Sequence, residues 1–157
     1  MESIFAYAYD LLKEINQKTL PVRPDKMEST EYSWIVIPYS EARELFEVWD
    51  LLDYSKDKKG FSYQPKIGGP CIFYSDDLSI VERHEVIAHE IGHIYLGHLP
   101  QNGIIGNSNN PNIASRQEAE AHAFALALLA PIPLLIAAGI KTPEEIQMAT
   151  RISKENA

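Results

Sequence analysis

A chain of 157 residues is long enough to bury one hydrophobic core and short for two ordinary domains, so a single domain over residues 1–157 is expected. Fourteen basic against 22 acidic residues give a formal charge of −8, which argues against a broad phosphate-binding face and against direct nucleic-acid binding. One cysteine, Cys71, excludes an internal disulfide framework, and the opening MESIFAYAYDLLKEINQ is too polar and too periodic for a secretory apolar core. A reducing, cytoplasmic setting is therefore expected. The long apolar stretch at residues 119–138 carries Glu120 and His122 at one end and Pro131 and Pro133 further on, so a buried helix followed by a break is expected there rather than a membrane span.

Taken in order, Ile4, Phe5, Tyr7, Ala8, Leu11, Leu12 and Ile15 recur at helical spacing and predict an amphipathic helix over residues 2–17. Residues 19–29, with Pro21 and Pro24, predict an irregular connection, and the aromatic and β-branched residues at 32–37 a strand that stops at Pro38. Ser40 is a cap for a second helix with apolar positions Ala42, Leu45, Phe46, Val48, Trp49 and Leu52. It gives way to a solvated turn around Lys56, Lys58 and Lys59. Short strands are expected at 61–64 and 71–74. The second of these is a candidate exposed edge for an extended peptide.

Ser79 with Glu82 three residues later forms a capping box for a helix over residues 80–97, whose Ile80, His84, Ile87, Ile91 and Ile94 face the core. Residues 101–112 predict a loop, and a second strong helix runs from Ser115 to the prolines. After a short apolar turn, Thr142, Pro143 and Glu145 start a last helix. The sum is an α+β domain, a small sheet of three strands packed beside helices.

Chemistry concentrates in HEIGH, residues 89–93, an instance of HExxH. Residues four apart on a helix lie one above the other, so His89 and His93 can converge on one metal ion. Glu90 is turned by about 100° from His89, near enough to take a proton from water without coordinating. Gly92 leaves room near the ion for a close neighbour. Two histidines leave a catalytic zinc shell short of a third protein ligand. The second helix offers Glu118 and Glu120; one shares a face with His122, the other points with Phe124, and periodicity does not choose between them.

HEIGHIYLGH followed by EAEAHAFALALLAP resembles the ImmA/IrrE family of intracellular metallopeptidases, whose pattern is HExxH with a nearby histidine and then ExEA(N/D)xFAxxLLMP. The resemblance covers mainly residues 72–133. It implies a compact zincin-like metallopeptidase domain with Glu118 as third metal ligand, His122 as a residue supporting the shell, and Zn²⁺ as the ion, with Mn²⁺ suited to the same donors. Two positions depart from the pattern: His122 stands where asparagine or aspartate is usual, and Ala130 where methionine is. A histidine at 122 could even close a four-ligand structural site. His98, Tyr95 and Glu85 join His122 as candidates to support the ligands or to donate to a transition-state oxyanion, and Tyr74 is a further candidate donor.

The implied biology is cleavage of a protein substrate, a cytoplasmic DNA-binding repressor. The alternative from another class is a non-catalytic regulatory protein that binds a repressor or DNA and keeps metal for stability. Oligomeric state is not legible in the sequence.

Overall fold

The computed structural model describes residues 2–27, 33–153 and 156–157. The start of the strand expected at 32–37 and the end of the connection expected at 19–29 fall outside the described residues.

Four residues of period-two patterning suffice to make each central strand. Strands β1 (Ile35–Pro38), β2 (Gly60–Tyr63) and β3 (Cys71–Tyr74) join a short hairpin, β4 (Pro100–Gln101) and β5 (Ile104–Ile105). Together they form a five-stranded sheet in the order β1-β3-β2-β5-β4. β1 runs parallel to β3 and the other pairs are antiparallel. Two expectations fail here. The sheet has five strands rather than three, and β3 is paired on both sides, so its backbone offers no edge to a peptide.

Alternation sends neighbouring side chains to opposite faces. Cys71, Phe73 and Phe61 join Phe46, Ala42, Leu51 and Ile104 in one cluster. There Phe46 meets Phe73 edge-on at a centroid distance of 4.8 Å, a contact that contributes about 0.5–1.5 kcal/mol beyond area burial. This face is covered by α2 (Arg43–Val48) and α3 (Leu52–Ser55), which replace the single helix expected from the periodicity. Asp50 breaks it, adopting φ 55°, and Val48 is left 76% exposed. Ser40 does not cap α2, whose N-cap is Ala42; its backbone N–H and hydroxyl donate to the Asp76 carboxylate instead.

Ile72 and Ser62 look the other way, toward α4 (Ile80–Tyr95), the helix that carries HEIGH. Its start is set by the expected capping box: Ser79 Oγ accepts from Glu82 N at 3.1 Å, and Ser79 N donates to Glu82 Oε1 at 3.2 Å. Behind α4 lie α5 (Pro111–Leu129) and α1 (Glu2–Glu14), whose Leu11 shares a core with Ile87, Ile91, Phe124, Leu128 and Ile152. Asn110 caps α5, with Pro111 in its first turn, so this helix starts earlier than Ser115. Pro111–Ala137 is long and apolar enough to cross a membrane by length and composition, but the chain breaks at Ala130 and Pro131 into α5 and the short α6 (Ile132–Ala137). The last helix, α7 (Pro143–Thr150), begins at Thr142, which accepts from Glu145 N.

On the core side of α4, Ile87, Ile91 and Ile94 are buried as expected, whereas Ile80 is 53% exposed. His84 is buried too, and neither ring nitrogen has a hydrogen-bond partner among the described residues; Asp25 Oδ1 lies 3.4 Å from Nε2. Burial, aided by Arg23 and Arg83, lowers the His84 pKa against the opposing pull of Asp25. The unfolded chain then binds this proton more readily than the folded one. The stability contribution of a neutral His84 is therefore lost as pH falls below about 6.5. In metal-free protein the unfolding midpoint should drop between pH 7 and 5 more steeply than in His84→Gln, and equal slopes would contradict this.

Candidate metal centre

The ends of α4 and α5 that face the sheet open into a cleft of about 500 Å³, and His89, Glu90, His93 and Glu118 all line it. The helices approach closely because residue 92 is glycine: a Cβ there would lie 3.2 Å from the Ala121 carbonyl oxygen and 3.2 Å from Phe124 Cδ1. Gly92 thus leaves room for a close neighbour as expected, and that neighbour is α5. The close crossing brings Glu118 across to both histidines. Its Oε2 is 3.0 Å from His89 Nε2 and its Oε1 is 2.9 Å from His93 Nε2.

Ligand atoms of His89, His93 and Glu118 all lie within 4.8 Å of one another. A tetrahedral site with bonds of about 2.0–2.1 Å has edges of about 3.3 Å, so the two histidine–glutamate separations need to part by only a few tenths of an ångström to admit a divalent ion. Two imidazoles and one carboxylate are also the donor chemistry such an ion takes. Without an ion the same groups act on one another. The two histidine hydrogen bonds hold the Glu118 carboxyl far below the usual carboxylate range. Burial lowers the His89 pKa, but the hydrogen bond to Glu118 and the charges of Glu90 and Glu118 outweigh it and raise the value overall.

Glu90 is only 7% exposed, and Ser62 Oγ donates to its Oε1 at 2.8 Å. Ser62 was not singled out from the sequence. Its signal was there: a serine at the strand position that faces a helix, where an apolar residue would ordinarily sit. Tyr54 was missed as well. It is half-buried on α3, lines the cleft, and packs edge-on against Phe61 at 5.0 Å. Burial and the charges of Glu90 and Glu118 raise its pKa, so the phenol keeps its proton. Lys58 and Lys59, expected in a solvated turn, also line the cleft. The Lys58 ammonium sits 5.2 Å over the Tyr54 ring, its carbonyl accepts from Tyr39 Oη, and Lys59 pairs with Glu82 at 3.2 Å.

The remaining candidates separate by position. His122 lines the cleft, exposed, one turn beyond Glu118, but it is not in the ligand cluster. No hydrogen bond or ion pair joins it to His89, His93 or Glu118 among the described residues. Glu85 also lines the cleft, yet its two oxygens accept from Ser153 N at 2.6 Å and Asn156 Nδ2 at 2.9 Å, so they anchor the C-terminal segment. Tyr95 packs between Tyr7 and Phe124, and Tyr74 lies under the Arg83 guanidinium. His98 stands behind His93, with 2.7 Å between their Nδ1 atoms. Glu120 faces His98 rather than the ligands, at 3.7 Å. Cys71 is a buried free thiol whose pKa is raised by burial.

The family model Peptidase_M78, IrrE N-terminal-like domain, matches residues 46–155, a span that includes every residue of this centre. Among curated proteins none matches the chain significantly.

Proposed function

Because the chain belongs to the family of peptidases with an IrrE N-terminal-like domain, we propose that this metallopeptidase is a zinc-dependent endopeptidase acting in the cytoplasm on a DNA-binding transcriptional repressor. The observation that carries the catalytic reading is the convergence of His89, His93 and Glu118 beside a buried, Ser62-held Glu90 in one cleft. His89 and His93 through Nε2, and Glu118 through its carboxylate, would hold the ion; zinc is the default for these donors and manganese suits them too. The substrate reading is supported by the family and by a charge of −8, which complements a basic partner. A buried free thiol at Cys71 is in keeping with a reducing compartment. Residues 1–157 act as one domain in this reading, since α1 and Ile152 share the core that backs α4.

A divalent ion bound here supplies Lewis-acid chemistry, lowering the pKa of water and polarising the scissile carbonyl. The chain's own groups do the rest. Glu90 takes the proton of the attacking water and passes it to the leaving amine. Ser62 fixes one Glu90 oxygen, so the carboxylate keeps a single orientation toward the cleft. Tyr54, protonated and lining the cleft, donates its O–H to the oxyanion that forms on the substrate carbonyl. Tyr54→Phe should lower kcat on the order of 10²-fold with little change in KM. An unchanged kcat, with a loss in His122→Ala instead, would move that role to His122.

The substrate is tested by incubating the purified protein with DNA-binding repressors from the same cell and mapping products by mass spectrometry. One defined cut that a chelator stops and zinc restores is expected. An intact repressor, or a cut indifferent to the chelator, would overturn the assignment.

A further inference from the structure

His93 is the most enclosed of the ligands, 2% exposed, and its two ring nitrogens face different partners. Nε2 looks into the cleft at Glu118, and Nδ1 lies 2.7 Å from His98 Nδ1. The chain reaches this arrangement by a specific turn. After α4 ends, Gly97 adopts φ +72°, Gly97 N donates to the Ile94 carbonyl at 3.1 Å and His98 N to the His93 carbonyl at 3.0 Å. That left-handed helix ending folds His98 back beneath the helix it has just left. Had the helix continued, His98 would lie nearly opposite His89.

We propose that His98, backed by Glu120, is a positioning residue that fixes the tautomer and the orientation of His93 and thereby sets the affinity of the centre for its metal. The proton bookkeeping follows from the two contacts. A ring nitrogen that gives its lone pair to an ion carries no proton, so neutral His93 must hold its proton on Nδ1. That N–H then donates to His98 Nδ1, which must offer a lone pair. The His98 proton is left on Nε2, and Nε2 faces the Glu120 carboxylate at 3.7 Å. This separation is beyond hydrogen-bond reach and acts as an electrostatic bias toward that tautomer. Arg116 Nε lies 3.8 Å from the same Glu120 oxygen.

Backbone also crowds the ring near Nδ1. Gly106, at φ +76°, passes so near that a Cβ would lie 2.6 Å from His93 Nδ1 and 2.7 Å from Cε1. Glycine and His98 together restrict the orientations open to the imidazole. His98 does not line the cleft and is outside the ligand cluster, so it is neither an oxyanion donor nor a spare ligand in this arrangement. Glu120, which periodicity could not distinguish from Glu118, has its place here: one glutamate of the pair faces the ion side of His93 and the other backs the far side through His98.

The inference rests on the metal-centre reading, and the experiment separates the two. Zinc affinity by chelator competition, the unfolding midpoint in excess chelator, and ¹⁵N shifts of the histidine rings in zinc-loaded protein are to be measured for wild type, His98→Leu, His98→Asn and Glu120→Gln. His98→Leu should bind zinc about 10–100-fold more weakly. His98→Asn keeps an acceptor oxygen and should recover most of that loss, and Glu120→Gln should give a smaller loss of the same sign. The losses should not track the metal-free unfolding midpoints, as they would if His98 merely filled space. The ring shifts should put protons on His93 Nδ1 and His98 Nε2. Wild-type affinity in His98→Leu, no recovery in His98→Asn, or a proton on His98 Nδ1 would each overturn the proposal, and the wild-type shifts and Glu120→Gln decide it if His98→Leu does not fold. Wild-type protein that binds no zinc would instead defeat the underlying reading.

Discussion

Glu90→Gln is expected to leave the protein folded and able to bind zinc while lowering peptide hydrolysis by roughly 10²–10⁴-fold, the range that a positioned general base supplies. The substitution is nearly isosteric. Ser62 Oγ, 2.8 Å from Glu90 Oε1, can donate to an amide oxygen as it does to the carboxylate. What glutamine cannot do is accept the proton of the attacking water. Because the residue is only 7% exposed, replacing its charge with a neutral amide removes a desolvation cost, and the unfolding midpoint should hold or rise. Cleavage within tenfold of wild type, with zinc demonstrably bound, would leave Glu90 without a catalytic role and restore the non-catalytic alternative.

Glu118→Ala is expected to weaken zinc binding by more than the approximately 10–100-fold that loss of an outer partner costs, with activity lost in parallel. Among the described residues Glu118 is the one carboxylate that bridges both histidines, at 3.0 Å and 2.9 Å. Without it, two imidazoles face the cleft with no anion between them. Glu120→Ala is the comparison and should lose much less, since Glu120 faces His98 and not the ligand cluster. Competition with a chelating dye checks both. The same loss in the two variants would mean that α5 presents the site differently from the structure, and a greater loss in Glu120→Ala would exchange their assignments.

Local signals were legible. The Ser79 and Glu82 box at the start of α4, the β3 residues 71–74 and the Thr142 cap of α7 are each written in a handful of adjacent residues. HExxH is of the same kind, because four-residue spacing on one helix decides what can converge. Several of the failures are non-local, and the others lie in short turns. Whether β3 is an edge depends on where β1 comes to lie, and no residue of 71–74 records that. The β4–β5 hairpin has two residues on each side, too few for a period, and its turn was read as part of a polar loop although Asn102 and Gly103 both adopt positive φ. Gly92 leaves room for a close neighbour, and only the partner helix reveals that this neighbour is α5. Ser62 reaches Glu90 from the sheet and Tyr54 reaches the cleft from α3, both far along the chain from HEIGH. His98 was judged as though its helix continued, and the left-handed turn at Gly97 is what changes its role.

Anomalous diffraction at the zinc edge from crystals of the zinc-loaded protein is the most direct measurement of the central claim. The expected result is one strong peak in the cleft, about 2.0–2.2 Å from His89 Nε2, His93 Nε2 and a Glu118 oxygen, with a non-protein ligand in the remaining position. A peak elsewhere in the molecule, or one in the cleft whose fourth ligand is a His122 nitrogen, would contradict an open catalytic centre.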